Sequence, residues 1–188
     1  MMYELYGLPG AGKSALVKDN PNLIRLSYKE KWKYGLMFIV RYPLVAVITV
    51  LIAITSLRYV FHKIRVCIFD RGGRYMKAKK RRGGIIDEGL YQNILSLFEH
   101  QVPHKILKLY VSLLPVPDTL LVIDEPISII KARDATRLIK PRRALSVEGR
   151  GIWWKNMIAN YATAMPMLKS KMGTRVIVTT SNEAKILI

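Results

Sequence analysis

The chain has 188 residues, the size of one ordinary domain able to bury a real core, and its single cysteine, Cys67, excludes both a disulfide framework and a cysteine-built metal site. Its formal net charge of +18 is extreme and points to an anionic partner: nucleic acid, anionic lipid or a phosphorylated substrate.

The first element is MYELY (Met2 to Tyr6), a short apolar and aromatic run suited to a buried strand. No leader is expected ahead of it, because the first residues are already spent on that strand. GLPGAGKS follows and fits G-x-x-x-x-G-K-[ST], with Gly7, Gly12, Lys13 and Ser14 in the required places. Such a loop bares its backbone N–H groups to phosphate oxygens, which a Cβ at the tight positions would obstruct. Gly7, Pro9, Gly10, Ala11, Gly12, Lys13 and Ser14 are therefore the expected nucleotide-binding residues. Lys13 would reach the β- and γ-phosphates, and the Ser14 hydroxyl would face magnesium. A helix is expected from Ser14, its N-terminus toward the phosphate. NLIRLS (Asn22 to Ser27) is a weaker strand candidate.

From Tyr42 to Leu57 no charge appears, and Arg41 and Arg58 bracket the run. Its helix would rise about 24 Å, short of the roughly 30 Å of a hydrocarbon core. A single crossing would also put Lys13 and Asp87 on opposite sides of a membrane, although both must meet one nucleotide. Ala46, Thr49, Ala53 and Ser56 make a small-residue face, while Leu44, Val47, Leu51 and Ile54 make a large aliphatic one. Two readings stand here: a fully buried core helix, or a helix dipping into a membrane surface or meeting an apolar acceptor. Between Arg58 and Arg82 lie ten Lys or Arg residues and one acid, Asp70, with KAKKRRGG as the densest part. A polybasic stretch beside an apolar helix is what an anionic lipid surface attracts. Nucleic acid is the second candidate partner, since no regular aromatic platform accompanies the charge. Trp32, Trp153 and Trp154 fit a membrane interface or a core equally well.

GGIIDEG reads as a short strand ending at Asp87 and Glu88, and a helix is expected from about Gly89 to Val102. His62, His100 and His104 have no metal-ligand spacing, and Pro103 interrupts HQVPH. DTLLVIDEP holds a continuous aliphatic strand, Thr119 to Ile123, ending at Asp124. A helix over Ile152 to Met172 and a strand over Arg175 to Thr179 complete the elements. The expected fold is α/β, a doubly wound parallel sheet of about five strands with helices on both faces. Ligands then bind at the carboxyl ends of the strands, where Gly7, Asp87 and Asp124 would converge. Magnesium needs oxygen ligands there, Asp87 before Asp124, and Glu88 would orient or deprotonate an acceptor hydroxyl. These carboxylates can equally cap the helices that follow.

GLPGAGKS, IIDEG, LLVIDEPISIIKARDATR and RVIVTTSN together resemble a phosphate-loop kinase of the thymidylate kinase-like (nucleoside monophosphate kinase) group. The resemblance implies a P-loop NTPase-type sheet, ATP and Mg2+ as cofactors, and a basic lid over residues 131–150. In that lid Arg133 and Arg137, followed by Lys140, Arg142 and Arg143, would close over ATP and neutralise charge on the transferred phosphoryl group. By the same resemblance Ser181 and Asn182 lie near the adenine. The likeness spans the strands and lid, not the apolar and polybasic insertion over residues 28–83. It departs at Asp87-Glu88-Gly89, where the group carries an Asp-Arg pair, so an arginine for a nucleotide acceptor's phosphate is absent from its usual place. Little chain is left for the helix that normally follows the last strand.

The expected function is transfer of the γ-phosphate of ATP to a hydroxyl of a membrane-proximal glycan or lipid-linked acceptor. The expected place is the cytoplasmic, inner face of a membrane, with bacterial envelope polysaccharide assembly as the associated setting. The alternatives are a kinase with a soluble nucleotide or small-sugar acceptor, and a nucleotide-dependent switch that contacts membrane or nucleic acid.

Overall fold

Four of the five runs read as strands pair side by side in one sheet, with β1 and β3 as its inner strands. The computed structural model describes residues 1–55, 59–98, 100–136 and 147–187, the side chains of 134–136 and 147 excepted. Its strands are β1 (Met2–Tyr6), β2 (Gly84–Ile86), β3 (Thr119–Ile123) and β4 (Val176–Thr179), in the order β2-β1-β3-β4 and all parallel. Tyr3 stands opposite Ile85 on one side and Thr119 on the other. Every residue of β3 is buried, so the central sheet is covered on both faces, as parallel sheets require. On the edge strand β4, Ile177 and Val178 are both exposed.

Among the described residues the sheet has four strands, not about five. Asn22 to Ser27 contributes one parallel bridge, Leu23 to Ile85, closed by Ile24 N–H to Ile85 O (2.8 Å) and Ile85 N–H to Asn22 O (3.0 Å). It stops there because Ser27 is already the cap of the next helix. The Ser27 hydroxyl accepts from the Glu30 N–H, and the Glu30 carboxylate accepts from the Ser27 N–H at 2.9 Å.

After β1 come α1 (Lys13–Val17), α2 (Tyr28–Arg41) and α3 (Pro43–Ile54), the last two meeting at 107°. The corner falls at Tyr42, with Pro43 in the first turn of α3, where its missing N–H costs nothing. A short α4 (Val60–Ile64) leads into a π-helix (Arg65–Gly72), which continues as α5 (Gly73–Arg81). The π-helix packs directly on α2: a Cβ on Gly35 would lie 2.5 Å from the Phe69 ring.

The helix expected from Gly89 to Val102 is instead a turn and a single helical turn, α6 (Asn93–Ser96). A separate α7 (His104–Leu113) begins directly after Pro103, which cannot donate within a continuing helix. The end of α7 is closed by Lys171, whose ammonium donates to Val111 O (2.7 Å), Ser112 O (3.0 Å) and Leu114 O. Past β3 run α8 (Ile127–Thr136) and α9 (Val147–Met172), then a 3-10 turn, β4 and α10 (Ser181–Leu187). The expected Ile152–Met172 helix is thus extended at its start, and seven residues do form a helix after the last strand. Arg137, Lys140, Arg142 and Arg143 of the expected lid lie outside the described residues, as do Ser56, Leu57 and Arg58.

The division of the apolar run is resolved by burial. Ala46, Thr49 and Ala53 are buried, with the Thr49 hydroxyl 3.3 Å from that of Tyr110, while Leu44, Val47, Leu51 and Ile54 all face outward. A fully buried core helix is therefore the wrong reading of this run.

The polybasic stretch also differs from a solvated face. Lys63, Arg71 and Lys77 are buried. The Lys63 ammonium donates to Leu97 O at 2.8 Å, and that of Lys77 to Arg25 O at 2.8 Å and Glu30 Oε1 at 2.6 Å. Buried ammonium and guanidinium groups need such partners, and here distant parts of the chain supply them. Arg65 and Lys79 through Arg82 remain exposed.

Candidate functional site

The strand order reverses at β1: the chain moves outward to β2, then returns to pair β3 on the other side of β1. Such a reversal leaves a crevice beyond the carboxyl ends of the strands. GLPGAGKS is the segment that emerges there. Gly7 turns with φ +150°, and a Cβ on it would stand 2.5 Å from Ile123 O at the end of β3. Gly10 has φ +94°, and its Cβ would lie 2.7 Å from Ile130 O of α8. Neither position admits a side chain without moving backbone. The Ala11 N–H closes the turn on Leu8 O at 3.1 Å.

Lys13 follows and folds back over this loop. Its ammonium donates to Gly7 O at 2.7 Å and Leu8 O at 3.0 Å, and the side chain is buried. Ser14 is exposed. On the far side of the loop, Gly12 approaches Ser181 and Arg133: a Cβ there would lie 3.4 Å from Ser181 Cβ and 3.5 Å from Arg133 Nη1. Arg133 Nη1 is also 3.9 Å from Glu125, whose carboxylate accepts the N–H and the hydroxyl of Ser181. Those two Ser181 bonds hold the Glu125 carboxyl below the usual carboxylate range.

A cavity of about 460 Å³ opens beside the loop. Pro9, Gly10, Gly12, Lys13 and Ser14 line it together with Asp70, Arg71, Glu88 and Trp153. Arg71 lines the cavity and is itself buried. Its guanidinium reaches Glu88 Oε2 at 3.2 Å, Asn93 Oδ1 at 3.0 Å and the Ser96 hydroxyl. Glu88 is half-exposed. Burial raises its carboxyl pKa, but Arg71 first, and Lys13 and Arg74 after it, lower it further, so Glu88 stays ionised below the usual range.

The turn that follows Glu88 is anchored by a residue the strand hides. Glu4, in the middle of β1, is fully buried, and its Oε1 accepts the Tyr91 N–H at 2.6 Å. The turn between Glu88 and Tyr91 wraps so closely that a Cβ on Gly89 would stand 2.2 Å from Glu4 Cδ. Burial pushes the Glu4 carboxyl up to about 8, against the Tyr91 bond and the Arg71 charge.

Of the expected site residues, the structure gathers Pro9, Gly10, Gly12, Lys13, Ser14 and Glu88 around one cavity. Gly7 and Ala11 shape the loop from behind, and Ala11 is buried in the core. Ser181 and Arg133 adjoin the loop at Gly12 instead, with Asn182 next along α10. Asp87 and Asp124 are absent from the cavity wall. Asp87 is paired with Arg74, which also reaches Asp70 at 3.4 Å, and Asp124 accepts the Tyr161 hydroxyl at 3.1 Å. Among the described residues no three His, Cys, Asp or Glu side chains form a metal-binding cluster.

Sequence reasoning missed Arg71, Asp70 and Glu4. Each left a signal: Asp70 is the lone acid in the basic stretch, and Glu4 is an acid inside an apolar strand. Asp70 pairs with Lys31 at 3.1 Å and with Arg74, which fixes the π-helix against α2. Comparison with family models, with characterised proteins and with solved structures gives no match to this chain.

Proposed function

We propose that the chain is a phosphate-loop kinase that moves the γ-phosphoryl group of ATP to a hydroxyl of a glycan or lipid-linked acceptor. What supports this most is that one cavity is lined both by Lys13 and Ser14 of the glycine-rich loop and by an ionised carboxylate, Glu88. The four-stranded parallel sheet, with the loop at its order reversal, is compatible with a P-loop-type fold.

In this reading the loop N–H groups hold the phosphates, and Lys13 leaves its carbonyl partners to meet the β- and γ-oxygens. Arg133 stands at the loop's other side, suited to charge on the transferred group, and Ser181 and Asn182 mark the side for the base. The acceptor enters the cavity against Arg71 and Trp153. Its hydroxyl oxygen forms a bond to the γ-phosphorus while the bond to the bridging β–γ oxygen breaks. ADP leaves, and Glu88 takes the hydroxyl proton. Magnesium, when bound with the nucleotide, would neutralise charge on the phosphate oxygens. Ser14, on the cavity wall, would offer it a hydroxyl oxygen; Asp70, Asp87 and Asp124 are each engaged by other side chains.

Glu88→Gln tests the assignment, because the amide keeps a hydrogen bond to Arg71 but takes no proton. The variant is expected to bind magnesium ATP within about threefold of the parent and to lose at least about a hundredfold in phosphoryl transfer. Transfer at the parent rate would remove Glu88 from the chemistry. A parent protein that binds no ATP would remove the kinase itself.

A further inference from the structure

We propose that the outward faces of α2 and α3 dock on an anionic lipid surface and hold the mouth of the cavity against it. The consequence for the acceptor rests on the kinase reading; the docking does not. On α3, Leu44, Val47, Leu51 and Ile54 recur at helical spacing, and the first three are each more than half exposed. Around the 107° corner the ridge continues on α2 with Leu36, Met37 and Val40, the last 83% exposed. Single exposed leucines are ordinary, but a continuous ridge over two helices marks an interaction surface.

Charge selects the occupant. Lys33 and Lys29 stand exposed one and two turns before Leu36 and Met37, and Arg41 sits at the corner. Lys79, exposed on α5, donates to the Tyr42 hydroxyl at 2.9 Å and so adds its charge at the same corner. Over α2 and α3 the one acid is Glu30, and it is bound by Lys77 at 2.6 Å. An apolar ridge with cations at its ends is the pattern of a helix lying in a bilayer interface. A second copy of the chain would cover the ridge but bring these cations against their own kind. Nucleic acid would take the cations and leave the ridge in water.

No single helix among the described residues is long and apolar enough to cross a membrane; α2 and α3 reach that length and apolarity only together, broken by the 107° corner. A pair bent so sharply, with cations along α2 and at the corner, fits a seat in the interface. The ridge also leads to the site. α3 packs on α4, where Phe61 is 90% exposed, and the next two residues, His62 and Lys63, line the cavity. Docking therefore sets the cavity beside the headgroups, where a membrane-held acceptor presents its hydroxyl.

The test is flotation of the full chain with vesicles, without nucleotide. Vesicles of phosphatidylcholine with phosphatidylglycerol are expected to carry the protein, and those of phosphatidylcholine alone to carry much less, with salt weakening the first. Lys29→Gln and Lys33→Gln should each weaken binding roughly fivefold. The double variant Val47→Glu, Leu51→Glu should weaken it more than about tenfold. Both sites are exposed, so its circular dichroism and melting should match the parent. Absence of binding, equal binding to neutral vesicles, or parent-level binding by the Glu variant would overturn the proposal. So would a self-associated protein in sedimentation that the Glu variant converts to monomer. A failure here leaves phosphoryl transfer standing, whereas intact vesicle binding without transfer defeats the kinase reading alone.

Discussion

Lys13→Ala is expected to lower phosphoryl transfer about a thousandfold while leaving the protein folded. The magnitude is that of removing one preorganised donor aimed at transition-state charge. In the structure the Lys13 ammonium donates to two loop carbonyls, Gly7 O at 2.7 Å and Leu8 O at 3.0 Å, and on the proposed reading it exchanges them for phosphate oxygens. Losing these bonds costs about 1–2 kcal/mol of stability, which a domain with this core tolerates. Lys13→Arg should not restore transfer, because a planar guanidinium does not fit where a compact ammonium turns back on its own loop. Single-turnover transfer and a thermal melt on the same preparation check both halves. Transfer within threefold of the parent would show that the loop does not handle phosphate.

The second large effect is a dependence of stability on pH that originates at Glu4. Its folded pKa is raised to about 8 by burial, while in the unfolded chain it returns to the ordinary carboxylate value. Between those values the folded state holds a proton that the unfolded state has released. Stability from this group is therefore complete below about 4.5 and declines as pH rises, by about 1.4 kcal/mol per unit at most, until the folded carboxyl itself ionises near 8. Glu4→Gln keeps an oxygen for the Tyr91 N–H and removes the titration. Denaturant unfolding across this pH range should show the parent falling relative to the variant, with the gap widening up to about pH 8. Parallel profiles would mean that Glu4 is not buried beneath the turn that carries Glu88. Titrations common to both proteins cancel in the difference.

Local patterns in the sequence carried the four strands, because each is a short, largely apolar run and turn residues such as glycine, aspartate and proline mark their ends. The two faces of the apolar run were also legible, since side-chain size alternates at helical spacing and burial follows size. What was not legible depends on partners far along the chain. Lys77 looks like part of a solvated run until Glu30, from another helix, lies 2.6 Å away. Arg71 looks the same until Glu88 and Asn93 meet it. The helix expected over 89–102 failed because Glu4 takes the Tyr91 N–H and Pro103 restarts the chain. The strand expected over 22–27 failed for a local reason: Ser27 and Glu30 form a capping box, and α2 begins before a second bridge can form. Asp87 had the sequence position of a magnesium ligand, yet Arg74 on α5 claims it.

The most direct measurement follows label from magnesium [γ-32P]ATP into a lipid and glycan extract of the source cell, with Lys13→Ala run beside the parent. A labelled lipid or glycan that forms with the parent and not with the variant is the predicted result, and mass analysis of that product would identify the acceptor. Label recovered only as unreacted ATP or free phosphate with both proteins would contradict the assignment of this cavity to phosphoryl transfer onto a membrane-held hydroxyl.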